Sequence, residues 1–271
     1  MDNKYVNFIS DEHLLYCVGN LHKAYAKAKN NITKKNFYSN KVDTIKLTFD
    51  ANFNGIDEES LIQAEVLRQI DKSINNSIGT FHEQILGGMT GFEVGILSGF
   101  DIKATDDTLF ADIKNKHNTM NSSSSESLFQ KLKGYADTYK KAKCYWVQIL
   151  AKSSFNELWH AEINGKEYSH SRVYKISGDQ FYALLSGQDD ALFQLYKVLP
   201  MAIKNYLNSI ENSQTEKENS ALDEIKNGVK ASNLTILDQI TLDNYNYYLG
   251  FETLKPAGVG SEGPLSILAL F

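Results

Sequence analysis

Hydrophobic positions along this chain recur with two different periods, and segments of the two kinds alternate. Leu14, Val18, Leu21 and Tyr25 repeat every three or four residues, which predicts a helix from Asp11 to about Ala28. Leu67, Ile70, Ile74, Ile78, Phe81 and Ile85 step by three and four, predicting a long amphipathic helix from about Glu59 to Leu86. Ser60 with Gln63 reads as a capping box at its start, and Gly87-Gly88 as its stop. The period then shortens. "FEVGILSGFDIKA" and "TLFADIKNK", separated by the turn "TDD", predict a hairpin with Asp101 in its first strand and Asp112 and Lys114 in its second.

The serines of "NTMNSSSS" can cap a helix whose stripe is Leu128, Leu132, Tyr135 and Tyr139, ending near Lys141. "CYWVQILA" (Cys144 to Ala151) is an apolar run expected as a strand buried on both faces. "LWHAEIN" and "RVYKIS" are further strands. Ser177 is expected to cap "GDQFYALLSG", and a last helix runs from Asp189 or Asp190 through Leu192, Leu195, Tyr196 and Leu199 to a stop near Pro200. Asn30 to Asn40 reads as a loop, and "NLTILDQITL" and "YNYYLGFE" as β-like. For "VDTIKLTFDANF" the pattern leaves a strand or an extended segment open. This order predicts an α/β fold, a central mixed sheet flanked by helices. The expected organisation is one domain over 1–271, with a core at about 58–200 and N-terminal helical and C-terminal extensions.

Composition narrows the class. The 271 residues are 42% hydrophobic and 23% charged, as in ordinary globular proteins. No window approaches 18 consecutive apolar residues, so no membrane span is expected. The N-terminus lacks a basic segment followed by an apolar one, so no secretory signal is expected either. Cys17 and Cys144 are too few for a disulfide framework or a zinc site, and the expected compartment is a reducing cytoplasm. A net charge of −5 disfavours a non-specific nucleic-acid binder. Bases nevertheless cluster at Leu21–Lys41 and Lys131–Lys143, so a basic surface on an acidic protein stays open. There is no GxxxxGK[ST] loop to suggest an ATP-driven enzyme.

The hairpin carries the chemistry. Carboxylates on adjacent strands can share one face at about 5 Å, where they repel unless a cation intervenes. Lys114 shares a face with Asp112, because strand side chains alternate with period two. Mg²⁺ suits such a site, since it takes one or two carboxylates and completes its shell with water and phosphate oxygens. The Ile113 carbonyl is a further candidate ligand. A lysine beside the metal can stabilise charge developing on a phosphate or polarise an attacking water. The set is sufficient for phosphodiester hydrolysis. The bland alternative is a surface hairpin with a cross-strand Asp–Lys pair.

"GFDIKATDDTLFADIK" resembles the active-site hairpin of the PD-(D/E)XK nucleases, with Phe100 where the often-replaced proline would stand. The blocks "IGTFHEQILGGMTGFEVG", "FADIKNKHNTMNSS" and "RVYKISGDQFYALLSGQDDALFQLYKVLP" resemble, in order, a type II restriction endonuclease family whose members cut GGNCC sites. The resemblance covers roughly Asp50 to Pro200. It implies that Asp101 and Asp112 are metal ligands, that Lys114 is the catalytic lysine, and that Glu83 on the preceding helix joins them. The second acid is Asp rather than the commoner Glu. Asn115, Lys116, His117 and Asn118, directly after the lysine, are candidates for DNA contact, and Arg172 is another. The resemblance further implies double-stranded DNA as substrate, a homodimer cutting one strand per subunit, and a cognate DNA methyltransferase protecting the host. A repair or structure-specific nuclease of the same fold, or a non-enzymatic binding module, are the alternatives.

Overall fold

The computed structural model describes residues 3–30, 33–95, 99–116, 120–210, 224–227, 229 and 234–245. The chain divides into two compact units, Met1–Lys23 with Asn75–Asn212, and Ala24–Ile74 with Ser213–Phe271.

The first unit contains the sheet. Its strands are β1 (Phe92–Val94), β2 (Ile102–Ala104), β3 (Leu109–Lys116), β4 (Lys143–Leu150), β5 (Asn156–Leu158) and β8 (Val173–Ser177), ordered β1-β2-β3-β4-β8-β5. β3, β4 and β8 run parallel, and the outer pairings are antiparallel, so the sheet is mixed as expected. β6 (Ala161–Ile163) and β7 (Lys166–Tyr168) form a separate hairpin. Its two-residue turn is Asn164-Gly165, both with positive φ, as such a turn requires.

Helices cover both faces. Leu109, Ala111 and Ile113 of β3 pack with residues of α1 (Asp11–Asn30), the end of α4 (Glu58–Gly87), α6 (Gly178–Ser186) and α7 (Ala191–Ser209). Phe110, between them in sequence, packs on the other face with Leu128, Phe129 and Leu132 of α5 (Ser122–Thr138). Alternation along one strand thus serves two cores. Tyr145, Val147 and Ile149 of β4 join the first core and Cys144 the second, so this strand is covered on both faces as read.

The second unit is helical among its described residues. α2 (Lys34–Ser39), α3 (Thr44–Asn54), the first part of α4 and α8 (Ile236–Tyr245) bury Phe37, Leu47, Ile62, Val66, Leu237 and Ile240.

Several expectations are corrected. Asn30 to Asn40 contains α2, capped by the Thr33 side chain accepting from the Asn36 amide. "VDTIKLTFDANF" is α3: Asp43 accepts from the Lys46 amide, and Gly55 ends the helix with φ +62°. "NLTILDQITL" is mostly α8, where Thr235 accepts from the Asp238 amide. α4 is capped by Asp57, which accepts from the Ser60 amide and hydroxyl, rather than by Ser60 itself. α5 is capped by Asn121 rather than by a serine. Ser177 gives α6 no side-chain cap; its hydroxyl pairs with Asp179 and Phe155. α7 does not stop at Pro200 but continues to Ser209. A proline there costs one helical hydrogen bond, and the apolar line Leu195, Leu199, Ala202 supports the helix across it. From Tyr245 onward, "YNYYLGFE" lies almost wholly outside the described residues.

Candidate active site

Asp112 and Lys114 stand on β3, on the face covered by α5. Asp101 does not lie in a strand, as expected, but immediately before β2; the predicted first strand is divided into β1 and β2. β2 pairs with β3 through Ile102↔Ala111, and one further step sets Asp101 opposite Asp112. The Asp101 amide donates to the Ala111 carbonyl at 3.1 Å, which fixes its backbone. Its side chain then turns onto β3, where Oδ2 accepts from the Ile113 amide at 2.6 Å. In an extended strand a residue's N–H and C=O point to the same side. The Ile113 carbonyl therefore also faces Asp101.

Asp112 is nearly buried, and both of its oxygens are engaged by lysines. Lys114 Nζ bonds Oδ1, and Lys131 Nζ bonds Oδ2 at 2.9 Å. Lys131 comes from α5 and lies 4.5 Å from the centroid of the Phe100 ring. The sequence reading noted Lys131 only as part of a basic run and gave it no place in the site. Its signal was weak, because a lysine on an amphipathic helix usually extends into water.

Glu83 lies on α4, one turn before the helix meets β1. A Cβ on Gly87 would stand 2.8 Å from the Val94 amide nitrogen, so glycine permits that close approach. Glu83 is half-buried. Burial raises its carboxyl above the ordinary range, and the charge of Asp101 raises it further; Lys114 opposes this, while Asp112 adds to it. Asp101 is likewise raised, first by burial; the Ile113 hydrogen bond opposes, Asp112 adds, and Lys114 and Lys131 oppose. The structure therefore brings Glu83, Asp101, Asp112, Lys114 and Lys131 into one electrostatic cluster.

The donors suit a hard divalent cation: two carboxylates and the Ile113 carbonyl on the same side, all oxygen. Among the described residues no three His, Cys, Asp or Glu side chains converge as a ligand set. The fit is therefore to an ion that keeps several water or phosphate oxygens.

The other candidates are more scattered. Lys116 ends β3 on the face of Asp112 and Lys114, exposed. Asn115 points to the opposite face. His117 and Asn118 lie outside the described residues. Arg172 donates to the main-chain carbonyls of Tyr139, at 3.3 Å, and Lys140, where it closes the end of α5. Among the described residues no helix is long and apolar enough to cross a membrane.

Comparison with known proteins agrees with this geometry. The Eco47II restriction endonuclease family model matches residues 6–208. The type II restriction enzyme Sau96I of Staphylococcus aureus is 40% identical over 266 residues, covering 93% of this chain and 100% of that protein. The type II restriction enzyme Eco47II of Escherichia coli is 31% identical over 216 residues, covering 74% of this chain and 88% of that protein. With a match spanning the sheet and every hairpin residue described above, the chain belongs to the Eco47II restriction endonuclease family and is a site-specific deoxyribonuclease of type II.

Proposed function

We propose that this endonuclease hydrolyses both strands of DNA at GGNCC sites, with Mg²⁺ as its ion and Asp101, Asp112 and Lys114 as its catalytic residues. Type II restriction endonucleases generally use a divalent metal ion. Asp101, Asp112 and the Ile113 carbonyl would hold it. When bound, Mg²⁺ supplies Lewis-acid stabilisation of the phosphate and lowers the pKa of a coordinated water. Lys114, whose ammonium already sits on Asp112, orients the attacking water and takes up negative charge at the phosphate. Lys131 adds a second positive charge from the other oxygen of Asp112. Glu83, with its carboxyl raised by burial, is placed to accept a proton from that water or to bind it.

Lys116, at the exposed end of β3, contacts the DNA, and Arg172 serves mainly to hold α5. The enzyme acts as a homodimer, with the acid–lysine cluster of each subunit serving one strand. It works in the cytoplasm beside a DNA methyltransferase that protects host sites. The observation that carries this reading is that Asp101, just before β2, stands opposite Asp112 on β3, with Lys114 bonded to Asp112. A Lys114 extended into water, away from the acids, would have favoured a binding module.

The test is a digest of unmethylated plasmid of known sequence, with Mg²⁺ or with EDTA, beside Asp112→Ala. Discrete fragments ending at GGNCC that require Mg²⁺ and vanish in the variant are expected. Fragments mapping to another sequence would overturn the site assignment, and an unchanged rate in Asp112→Ala would overturn the residue assignment.

A further inference from the structure

Helix α7 carries two apolar lines, and among the described residues one is buried and the other exposed. Ala191, Leu195 and Ala202 are buried against the core of the first unit. Phe193, Tyr196, Pro200, Ile203 and Leu207 form the other line, and all five are exposed, Tyr196 at 71%. Their steps of three, four, three and four place them within an arc of roughly 80° on the helix surface. No charged residue interrupts the line. Lys197 and Lys204 lie at one flank, and Lys197 folds over the Phe193 ring at 5.5 Å from its centroid. Met201 on α7 and Leu184 on α6 add exposed apolar surface beside it. A soluble protein rarely leaves such a line open to water unless something covers it.

We propose that the covering surface is the same line on a second copy of this chain, so that α7 packs on its two-fold mate and forms the homodimer. Three features favour a second copy over other occupants. The line is nearly symmetric about Pro200, with Phe193 and Leu207 seven residues to either side and Tyr196 and Ile203 four and three. An isologous interface needs a surface that complements itself under rotation, and this one does. The area is sufficient: scaled from the 150–250 Å² of a large side chain, the exposed parts from two copies come to roughly 1,200 Å², at the lower bound for specific interfaces. Finally, the described residues of one chain hold one acid–lysine cluster, while a duplex offers two strands. This last argument rests on the proposed double-strand cleavage; the first two do not.

Sedimentation equilibrium of the full chain, with and without a duplex carrying the site, tests the proposal. The wild type is expected at about twice 30.5 kDa. Tyr196→Glu and Ile203→Glu are expected to raise the dimer dissociation constant by roughly a hundredfold or more, since each places an unpaired carboxylate in the interface. Both residues are exposed in the single chain, so circular dichroism should be unchanged. Pro200→Cys supplies a positive signal. Packed helices stand about 8–10 Å apart, which leaves facing Cα atoms at the midpoint roughly 3.4–5.4 Å apart, and the wider half of that range is within reach of a disulfide. Mild oxidation should therefore give a covalent dimer. The native cysteines, Cys17 and Cys144, are buried and should not interfere.

A wild type that stays monomeric under both conditions yet cleaves plasmid overturns the interface and leaves the nuclease standing. A dimer that resists both glutamates, and that gives no covalent product on oxidation of Pro200→Cys, also overturns it. The expected dimer pattern without any cleavage supports the interface and removes the nuclease reading instead.

Discussion

Replacing either of the proposed catalytic aspartates by asparagine should abolish cleavage, but the two changes should move stability in opposite directions. Asp112 is nearly buried, with one lysine on each oxygen. Asp112→Asn removes two charge-assisted bonds and leaves Lys114 and Lys131 without the carboxylate between them. Such bonds contribute about 1.5–3 kcal/mol each. Both ammoniums are a third exposed and recover hydration, so the net loss is discounted to roughly 1–2 kcal/mol. Asp101 is in the reverse situation. Its charge is disfavoured by burial and by Asp112, and its one strong partner is the Ile113 amide. Asparagine keeps an oxygen for that amide and removes the disfavoured charge. Asp101→Asn should therefore stabilise the metal-free protein by roughly 0.5–1 kcal/mol. The assay is urea unfolding at pH 7.5 in EDTA. Repeating it with Mg²⁺ at ten times its dissociation constant should add about 1.4 kcal/mol to the wild type and little to either variant. If Asp112→Asn is as stable as the wild type, or Asp101→Asn falls as far as Asp112→Asn, this account of the cluster's electrostatics is wrong.

Three further predictions concern the surroundings of the site. Lys131→Met should slow single-turnover cleavage by roughly 10- to 100-fold, equivalent to about 1.4–2.8 kcal/mol of transition-state stabilisation; a full-rate variant would remove Lys131 from the site. Arg172→Ala should lower the stability of the protein by about 1–2 kcal/mol, since it uncaps the carbonyls that end α5, while leaving DNA affinity unchanged in a filter-binding assay; an affinity loss at constant Tm would make Arg172 a DNA contact. His82 is half-buried, its ring nitrogen 2.9 Å from the Tyr182 hydroxyl, and desolvation lowers it from the usual 6.5 to about 4. The unfolded chain then takes up the proton first as pH falls. The stability is present above about 6.5 and lost down to about 4, with about 2 kcal/mol lost between pH 7 and pH 5. His82→Gln should flatten that slope in urea titrations, and an equal slope in both proteins would refute the assignment.

The placement of the acids and lysine on the hairpin was legible because its constraints are local. Period-two alternation places Asp112 and Lys114 on one face regardless of tertiary context, and the turn between β2 and β3 brings Asp101 back opposite. The long helix was legible in extent but not in facing. Leu67 was expected in its stripe and is exposed, because the core line there runs through Ile62, Val66 and two buried polar residues, Glu65 and Gln69. Gln69 donates to Glu65 and to the Phe37 carbonyl, so its burial is satisfied, and a count of apolar residues overlooks it. α3 and α8 give no clear helical stripe, and the Ile and Thr in each, with Phe in α3, suggest extended chain; their caps and packing override that preference. Lys131 was out of reach because only the packing of α5 on the sheet brings it to Asp112. Asn164-Gly165 is a hairpin signal at the end of the strand expected over "LWHAEIN", and the returning strand β7 lay outside every expected element.

The alternation of β3 has a consequence for how such an enzyme can change through descent. Leu109, Ala111 and Ile113 face one core, while Asp112 and Lys114 face the proposed site, so a single-residue deletion between Leu109 and Asp112 would exchange the facing of the residues after it. Ile113 would be delivered to the phosphate and Asp112 to an apolar core. Lineages can therefore vary the chemistry by substitution while the scaffold persists, but the length of this strand cannot drift, because one codon lost there removes foldability and catalysis together.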